Sequence, residues 1–194
     1  AAKSGAAPIP EVMIPLVAYR REFDVVRKAI VVTAAKVEAE TGAKLQYQVG
    51  TMVELPRAAL RAEEIAEGAD GAEFFSFGTN DLTQATFSFS REDAENKFLP
   101  AYTQGRILQH NPFEMLDVKG VGQLMELAVA GGRKTRPGMK IGTCREHGGH
   151  PASIAFCHRT GLSYVSCSGP RVPIARLAAA HAALNEAPGL SASL

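Results

Sequence analysis

The chain has 194 residues, of which 46% are hydrophobic and 21% charged, a composition that excludes disordered, fibrous and collagen-like classes. With 21 Lys and Arg against 20 Asp and Glu, the net charge of +1 supplies no general electrostatic attraction to nucleic acid or an anionic membrane. No apolar run approaches the roughly 20 residues that a membrane-spanning helix requires.

Short apolar runs alternate with stretches of helical period, the pattern of β/α units building a parallel sheet. The first strand is expected over Glu11–Val17. A helix follows over Glu22–Glu40, where Phe23, Val26, Ile30, Ala34 and Val37 recur at helical spacing and Gly42 supplies the C-cap. The second strand spans about Leu45–Val53, and Pro56 opens an Ala-rich helix running to Glu67. The third strand is Glu73–Phe77, closed by Gly78.

From Asp81 to Lys119 the sequence is a long excursion rich in aromatic, polar and proline residues, of the kind that carries function. A helix then covers Val121–Ala130, with Gly131 and Gly132 read as its end. The fourth strand is Lys140–Thr143, leading to Cys144 and a glycine-bearing turn, then a helix over Ala152–Arg159. Leu162–Cys167 is the fifth strand, and a last helix over Val172–Leu184 aligns Ile174, Leu177, Ala178, His181 and Leu184 on one side. These are five β/α units without a linker that would divide them. Residues 1–8 and 187–194 read as flexible ends around one unit over 9–186.

In parallel α/β folds the reactive side chains gather at the carboxyl ends of the strands, where the loops converge. Three groups of candidates meet that condition: Glu54, then Asn80 and Asp81, then Cys144. Glu54 and Asp81 are carboxylates on neighbouring strand ends, a donor pair that suits Mg²⁺, which keeps several waters and accepts substrate oxygens. Their plainer reading is as solvated loop acids or as partners of Arg57. Gly78-Thr79-Asn80-Asp81 offers a glycine for close backbone approach and successive N–H groups that could receive a carboxylate. Helix capping explains the same residue types equally well.

Cys144 stands beside Arg145 and near His147, and cationic neighbours ready a thiol for proton transfer. Cys157 and Cys167 read instead as inert buried thiols. Three cysteines without a CxxC pair argue against a disulfide framework or zinc ribbon and point to a reducing, intracellular setting. The first ten residues lack the pattern of a secretory signal. Ala192-Ser193-Leu194 loosely echoes a peroxisomal address, so the compartment expected is the cytoplasm or a peroxisome- or glycosome-like organelle. The five histidines, His110, His147, His150, His158 and His181, show no metal-ligand spacing. Phe74, Phe75, Phe77, Phe87 and Phe89 read as core rather than as a stacking platform.

Taken together, several stretches are more specific than any one of them. Met52-Val53-Glu54-Leu55-Pro56-Arg57-Ala58-Ala59-Leu60, Phe74-Phe75-Ser76-Phe77-Gly78-Thr79-Asn80-Asp81-Leu82-Thr83-Gln84 and Gly120-Val121-Gly122-Gln123-Leu124 closely resemble the pyruvate phosphate dikinase family of phosphoenolpyruvate-utilising enzymes. So do Glu146-His147-Gly148-Gly149, Tyr164-Val165-Ser166-Cys167-Ser168 and Arg171-Val172-Pro173-Ile174-Ala175-Arg176-Leu177-Ala178.

The resemblance covers about Ile9 to Leu184 and implies an α/β fold, the last five β/α units of a partial (β/α)₈ TIM barrel. It implies that Glu54 and Asp81 hold Mg²⁺, that Glu54, Gly78, Thr79, Asn80 and Asp81 contact phosphoenolpyruvate or pyruvate, and that Cys144 exchanges a proton with the methylene carbon of the enolate. It also implies a parent enzyme that interconverts ATP, phosphate and pyruvate with AMP, diphosphate and phosphoenolpyruvate. The partners implied are a phosphohistidine domain of the parent chain and a second subunit in a homodimer.

This chain departs from the family at two places. Cys144-Arg145-Glu146-His147-Gly148-Gly149-His150 stands where the family has Cys-Gly-Glu-His-Gly-Gly-Asp, and Ser168-Gly169-Pro170-Arg171 replaces a more usual Ser-Pro-Phe-Arg. The family's phosphate-clamping arginines lie on earlier barrel strands that nothing here matches, so the isolated chain is expected not to turn over. The alternative is a degenerate, non-catalytic oligomerisation module.

Overall fold

A computed structural model describes residues 8–144 and 146–186; Arg145, residues 1–7 and residues 187–194, with the tripeptide Ala192-Ser193-Leu194, lie outside the described residues. Five strands, β1 (Glu11–Ile14), β2 (Gln48–Val53), β3 (Phe74–Phe77), β4 (Lys140–Thr143) and β5 (Tyr164–Val165), form one parallel sheet in the order β1-β2-β3-β4-β5. Strand order thus follows chain order, as in successive units of a (β/α)₈ barrel. The expected α/β class and the five units are both present.

Four strands are shorter than the stretches that announce them, β1, β2 and β5 by three or four residues and β3 by one. β1 ends at Ile14 because Pro15 follows it and Leu16 adopts the left-handed conformation (φ 54°), which takes the chain out of the ladder. The segment Leu162–Cys167 contributes only two ladder residues. By contrast β3 is buried along its whole length, so Phe74, Phe75 and Phe77 pack on both faces of the sheet. Phe87 is half-buried against the main core, and Phe89 is half-buried in a second cluster with Ala94, Leu99 and Phe113.

The helices are α1 (Arg20–Thr41), α2 (Pro56–Leu60), α3 (Ala62–Ala66), α4 (Thr79–Phe87), α5 (Arg91–Lys97), α6 (Leu99–Gln104), α7 (Val121–Thr135), α8 (Pro151–Arg159) and α9 (Val172–Glu186). The N–H of Gly42, in the left-handed conformation, donates to Glu38 O at 2.8 Å and ends α1 as its position predicts. The single Ala-rich helix expected after Pro56 is broken at Arg61 into α2 and α3. The excursion beyond Asp81 is largely helical, forming α4, α5 and α6.

Gly131 and Gly132 do not end a helix: α7 runs through them to Thr135. A methyl group on Gly132 would lie 2.7 Å from the Phe75 ring and 2.8 Å from the Met139 sulfur. The glycine is there to let α7 press against β3 and the chain entering β4, and that packing outweighs its low helix propensity.

The stripe predicted on α9 is also displaced. Ala175, Ala178 and Ala182 are buried, with Ala175 and Ala178 packed with Ile154 of α8, while Ile174, Leu177 and Leu184 are more than half exposed. On α1 only Phe23 is fully buried. Val26, Ile30 and Ala34 instead line an open groove of about 450 Å³ with Pro10, Val12 and Tyr47.

Candidate functional site

The sheet register brings the candidate residues together. Val53 pairs with Phe77, and Phe77 with Thr143, so β2, β3 and β4 end level. The next residues along each strand, Glu54, Gly78 and Cys144, therefore stand side by side at one mouth.

Glu54 is a buried carboxylate, 3% exposed. Its Oε1 accepts a 2.8 Å hydrogen bond from the N–H of Leu16, presented by the left-handed turn after β1. Its other side lies against Gly78, where a methyl group would overlap Oε2 and come within 2.8 Å of both Glu54 Cβ and the Met52 methyl. The Arg57 guanidinium lies 3.6 Å over the Tyr19 ring and donates to Ala18 O.

Gly78 is the N-cap of α4 and makes no side-chain cap, so Thr79, Asn80 and Asp81 form the first helical turn rather than capping it. Thr79 and Asn80 are buried; Thr79 Oγ1 and Asn80 Oδ1 have no hydrogen-bond partner. Buried polar atoms of that kind cost stability unless a ligand engages them. Asp81 is half-buried, and its Oδ1 accepts from Gln84 Nε2 at 3.3 Å.

Cys144 is half-buried, its Sγ 3.7 Å from the carbonyl oxygen of Phe77, at the point where β3 turns into the Gly78 loop. His147 is not the cation foreseen beside it. Burial lowers its pKa, and its Nε2 donates to Pro112 O at 2.9 Å, leaving a neutral, inward-facing ring. His150 is likewise shifted down, by burial first and then by Arg171 and His110. Cys157 is buried in α8 as expected, with its thiol pushed up to about 12 by burial, whereas Cys167 is half-buried rather than sequestered.

One charged group of the mouth stands in a resembling motif without a role assigned by it. Glu146, two residues beyond Cys144, accepts from Asn80 Nδ2 at 2.9 Å through Oε2 and from Arg91 Nη1 at 3.0 Å through Oε1. Burial alone would raise its pKa, but these two hydrogen bonds prevail and bring it down to about 2. The partners are 66 and 55 residues away along the chain, beyond any local sequence signal.

Among the described residues no cluster of three or more His, Cys, Asp or Glu is arranged to hold a metal ion, and no helix is long and apolar enough to cross a membrane. The pair Glu54 and Asp81, on adjacent strand ends, is a donor set of the size that Mg²⁺ takes from protein.

Residues 2–184 match the family described as PEP-utilising enzyme, PEP-binding domain. The chain is 58% identical over 183 residues to pyruvate, phosphate dikinase of Clostridium symbiosum, covering 94% of this chain and 20% of that protein. It is 57% identical to the Rhizobium meliloti enzyme, again covering 94% and 20%, and 57% identical to a chloroplastic pyruvate, phosphate dikinase of Arabidopsis thaliana, covering 91% and 18%. The chain therefore spans about a fifth of the length of these relatives. A citrate lyase structure from Burkholderia xenovorans shares the fold at a TM-score of 0.56 and 16% identity, over 91% of this chain and 49% of that one. The chain belongs to the phosphoenolpyruvate-utilising enzymes, as part of their phosphoenolpyruvate-binding domain.

Proposed function

We propose that this chain is the C-terminal part of the substrate barrel of a pyruvate phosphate dikinase. The parent interconverts ATP, phosphate and pyruvate with AMP, diphosphate and phosphoenolpyruvate through a phosphohistidine on another of its domains. The observation that carries the reading is the level ending of β2, β3 and β4, with a buried carboxylate, an unsatisfied polar turn and a thiol side by side. The relatives' names support the reaction assigned.

The carboxylate of pyruvate or phosphoenolpyruvate sits against the first turn of α4, beside Gly78, where the N–H groups of that turn and the Thr79 hydroxyl donate to it. Asn80 fixes the substrate's orientation. Glu54 and Asp81 hold Mg²⁺, which supplies stabilisation of the negative charge on the enolate oxygen when bound. Cys144 performs the proton step. Its S–H gives the proton to the methylene carbon of the enolate, forming the methyl group of pyruvate; in the opposite direction the thiolate removes a proton from that methyl group. The phosphoryl group moves between the enolate oxygen and the phosphohistidine, which needs alignment and charge neutralisation rather than a covalent bond to this domain.

The phosphate clamp and the phosphohistidine belong to other parts of the parent, so the chain alone is inactive, and the parent is a homodimer. The test is ATP- and phosphate-dependent formation of phosphoenolpyruvate from pyruvate by the full-length parent. Cys144→Ala should lower that rate by about 10² to 10⁴-fold and abolish exchange of pyruvate methyl hydrogens with solvent. A full-length parent that is inactive yet still dimeric would favour the degenerate oligomerisation module instead.

A further inference from the structure

We propose that Glu146, clamped by Arg91, is a positioning residue that fixes the Asn80 amide in the substrate site. The inference rests on the reading of Asn80 as a substrate contact.

A carboxylate only accepts hydrogen bonds, so the group that faces Glu146 Oε2 at 2.9 Å must be the NH₂ end of Asn80. The amide is thereby oriented: its nitrogen is tied to the loop that follows β4, and Oδ1 remains buried and unpartnered. Without an acceptor-only neighbour, a buried amide can rotate end for end and exchange its donor for its acceptor.

Glu146 is itself fixed. Its other oxygen takes the 3.0 Å hydrogen bond from Arg91 Nη1. Arg91 opens α5 and is anchored three further times: Nε to Glu95 at 3.3 Å, the guanidinium 5.4 Å over the Phe113 ring, and its N–H to Gln84 Oε1 at 2.8 Å. Gln84 in turn donates to Asp81 Oδ1. Two branches therefore leave Arg91 and return to neighbouring site residues, one through Glu146 to Asn80 and one through Gln84 to Asp81. The same carboxylate lies two residues after Cys144, so it also ties the thiol's loop to the substrate turn. This gives the start of α5 a task at the mouth.

The experiment is steady-state kinetics of the full-length parent carrying Glu146→Ala, Glu146→Gln, Asn80→Ala and the Asn80→Ala/Glu146→Ala pair, with phosphoenolpyruvate binding measured by calorimetry. Glu146→Ala should lower kcat/KM for pyruvate by about 30- to 100-fold, the scale of a misplaced contact, while KM for ATP stays unchanged. Glu146→Gln keeps an oxygen acceptor for Asn80 and should recover at least a third of that loss on a logarithmic scale. The double variant should be within about 3-fold of Asn80→Ala alone, because one contact cannot be lost twice. Three outcomes would overturn the proposal: kcat/KM for pyruvate within 3-fold of wild type, KM for ATP and pyruvate rising together, or single losses that multiply in the double variant. A wild-type parent that neither binds phosphoenolpyruvate nor forms it would sink the functional reading and this role with it, whereas an active wild type with indifferent variants sinks this role alone.

Discussion

Glu54 and Gly78 touch in a way that leaves no room for a side chain at 78: a methyl group there would overlap Glu54 Oε2. The glycine's φ of −86° is open to any residue, so the requirement is one of space rather than of backbone conformation. The carboxylate is held on its far side by the Leu16 N–H, and its shift would break that bond. Gly78→Ala should therefore cost about 1–3 kcal/mol of stability by overpacking and about 100-fold in pyruvate-dependent turnover by displacing the carboxylate. Urea unfolding and parent kinetics measure the two effects; an alanine variant with wild-type turnover would contradict the assignment of Glu54.

The depressed pKa of Glu146 makes a prediction with a definite sign. Its folded value of about 2 lies below the ordinary 4.5, so its contribution is fully present above about pH 4.5 and fades as pH falls toward 2. Solvent reaches 39% of the side chain, which limits the contribution to about 1 kcal/mol or less. Urea midpoints measured at pH 6 and pH 3 should fall further for wild type than for Glu146→Gln, and the two proteins should converge at the acid end.

The three thiols should separate by reactivity. Cys157 is buried with its pKa raised to about 12, while Cys144 and Cys167 are half-buried. Iodoacetamide at pH 8 should label Cys144 and Cys167 in the folded protein and reach Cys157 only in denaturant, read out by peptide mass spectrometry. Cys157→Ser should cost about 1–3 kcal/mol, because a hydroxyl replaces a thiol in apolar surroundings.

Gly132 offers a test of packing against propensity. On an exposed helix, Gly→Ala stabilises by about 1 kcal/mol. Here the new methyl group meets the Phe75 ring and the Met139 sulfur, so Gly132→Ala should destabilise by about 1–3 kcal/mol. A rise in the urea midpoint would refute the close approach of α7 to β3.

What the sequence made legible follows the range of the forces involved. Phe74–Phe77 reads as a strand because four consecutive residues are buried, and the Gly42 cap reads from its position alone. Glu54, the Gly78–Asp81 turn and Cys144 are placed at one mouth by strand ends that sequence can locate. The errors arise where distant packing overrules a local signal. Gly131 and Gly132 look like a helix stop until the Phe75 ring is known to press on Gly132 and α3 to lie against Gly131, and α9 turns its alanines inward because α8 lies close. Glu146 stands in a motif that the sequence displays, but its two partners come from α4 and α5, 66 and 55 residues away, so the motif gave it no role.

The unbroken β1-β2-β3-β4-β5 order has a consequence for synthesis on the ribosome. Each strand from β2 to β5 finds a ladder partner in the unit made just before it, so the sheet can lengthen in step with the emerging chain. The carboxylates at the ends of β2 and β3 come into register first, and the thiol joins them only when β4 docks. An arrested chain that stops before Lys140 would thus present Glu54 and the Gly78–Asp81 turn without Cys144 beside them.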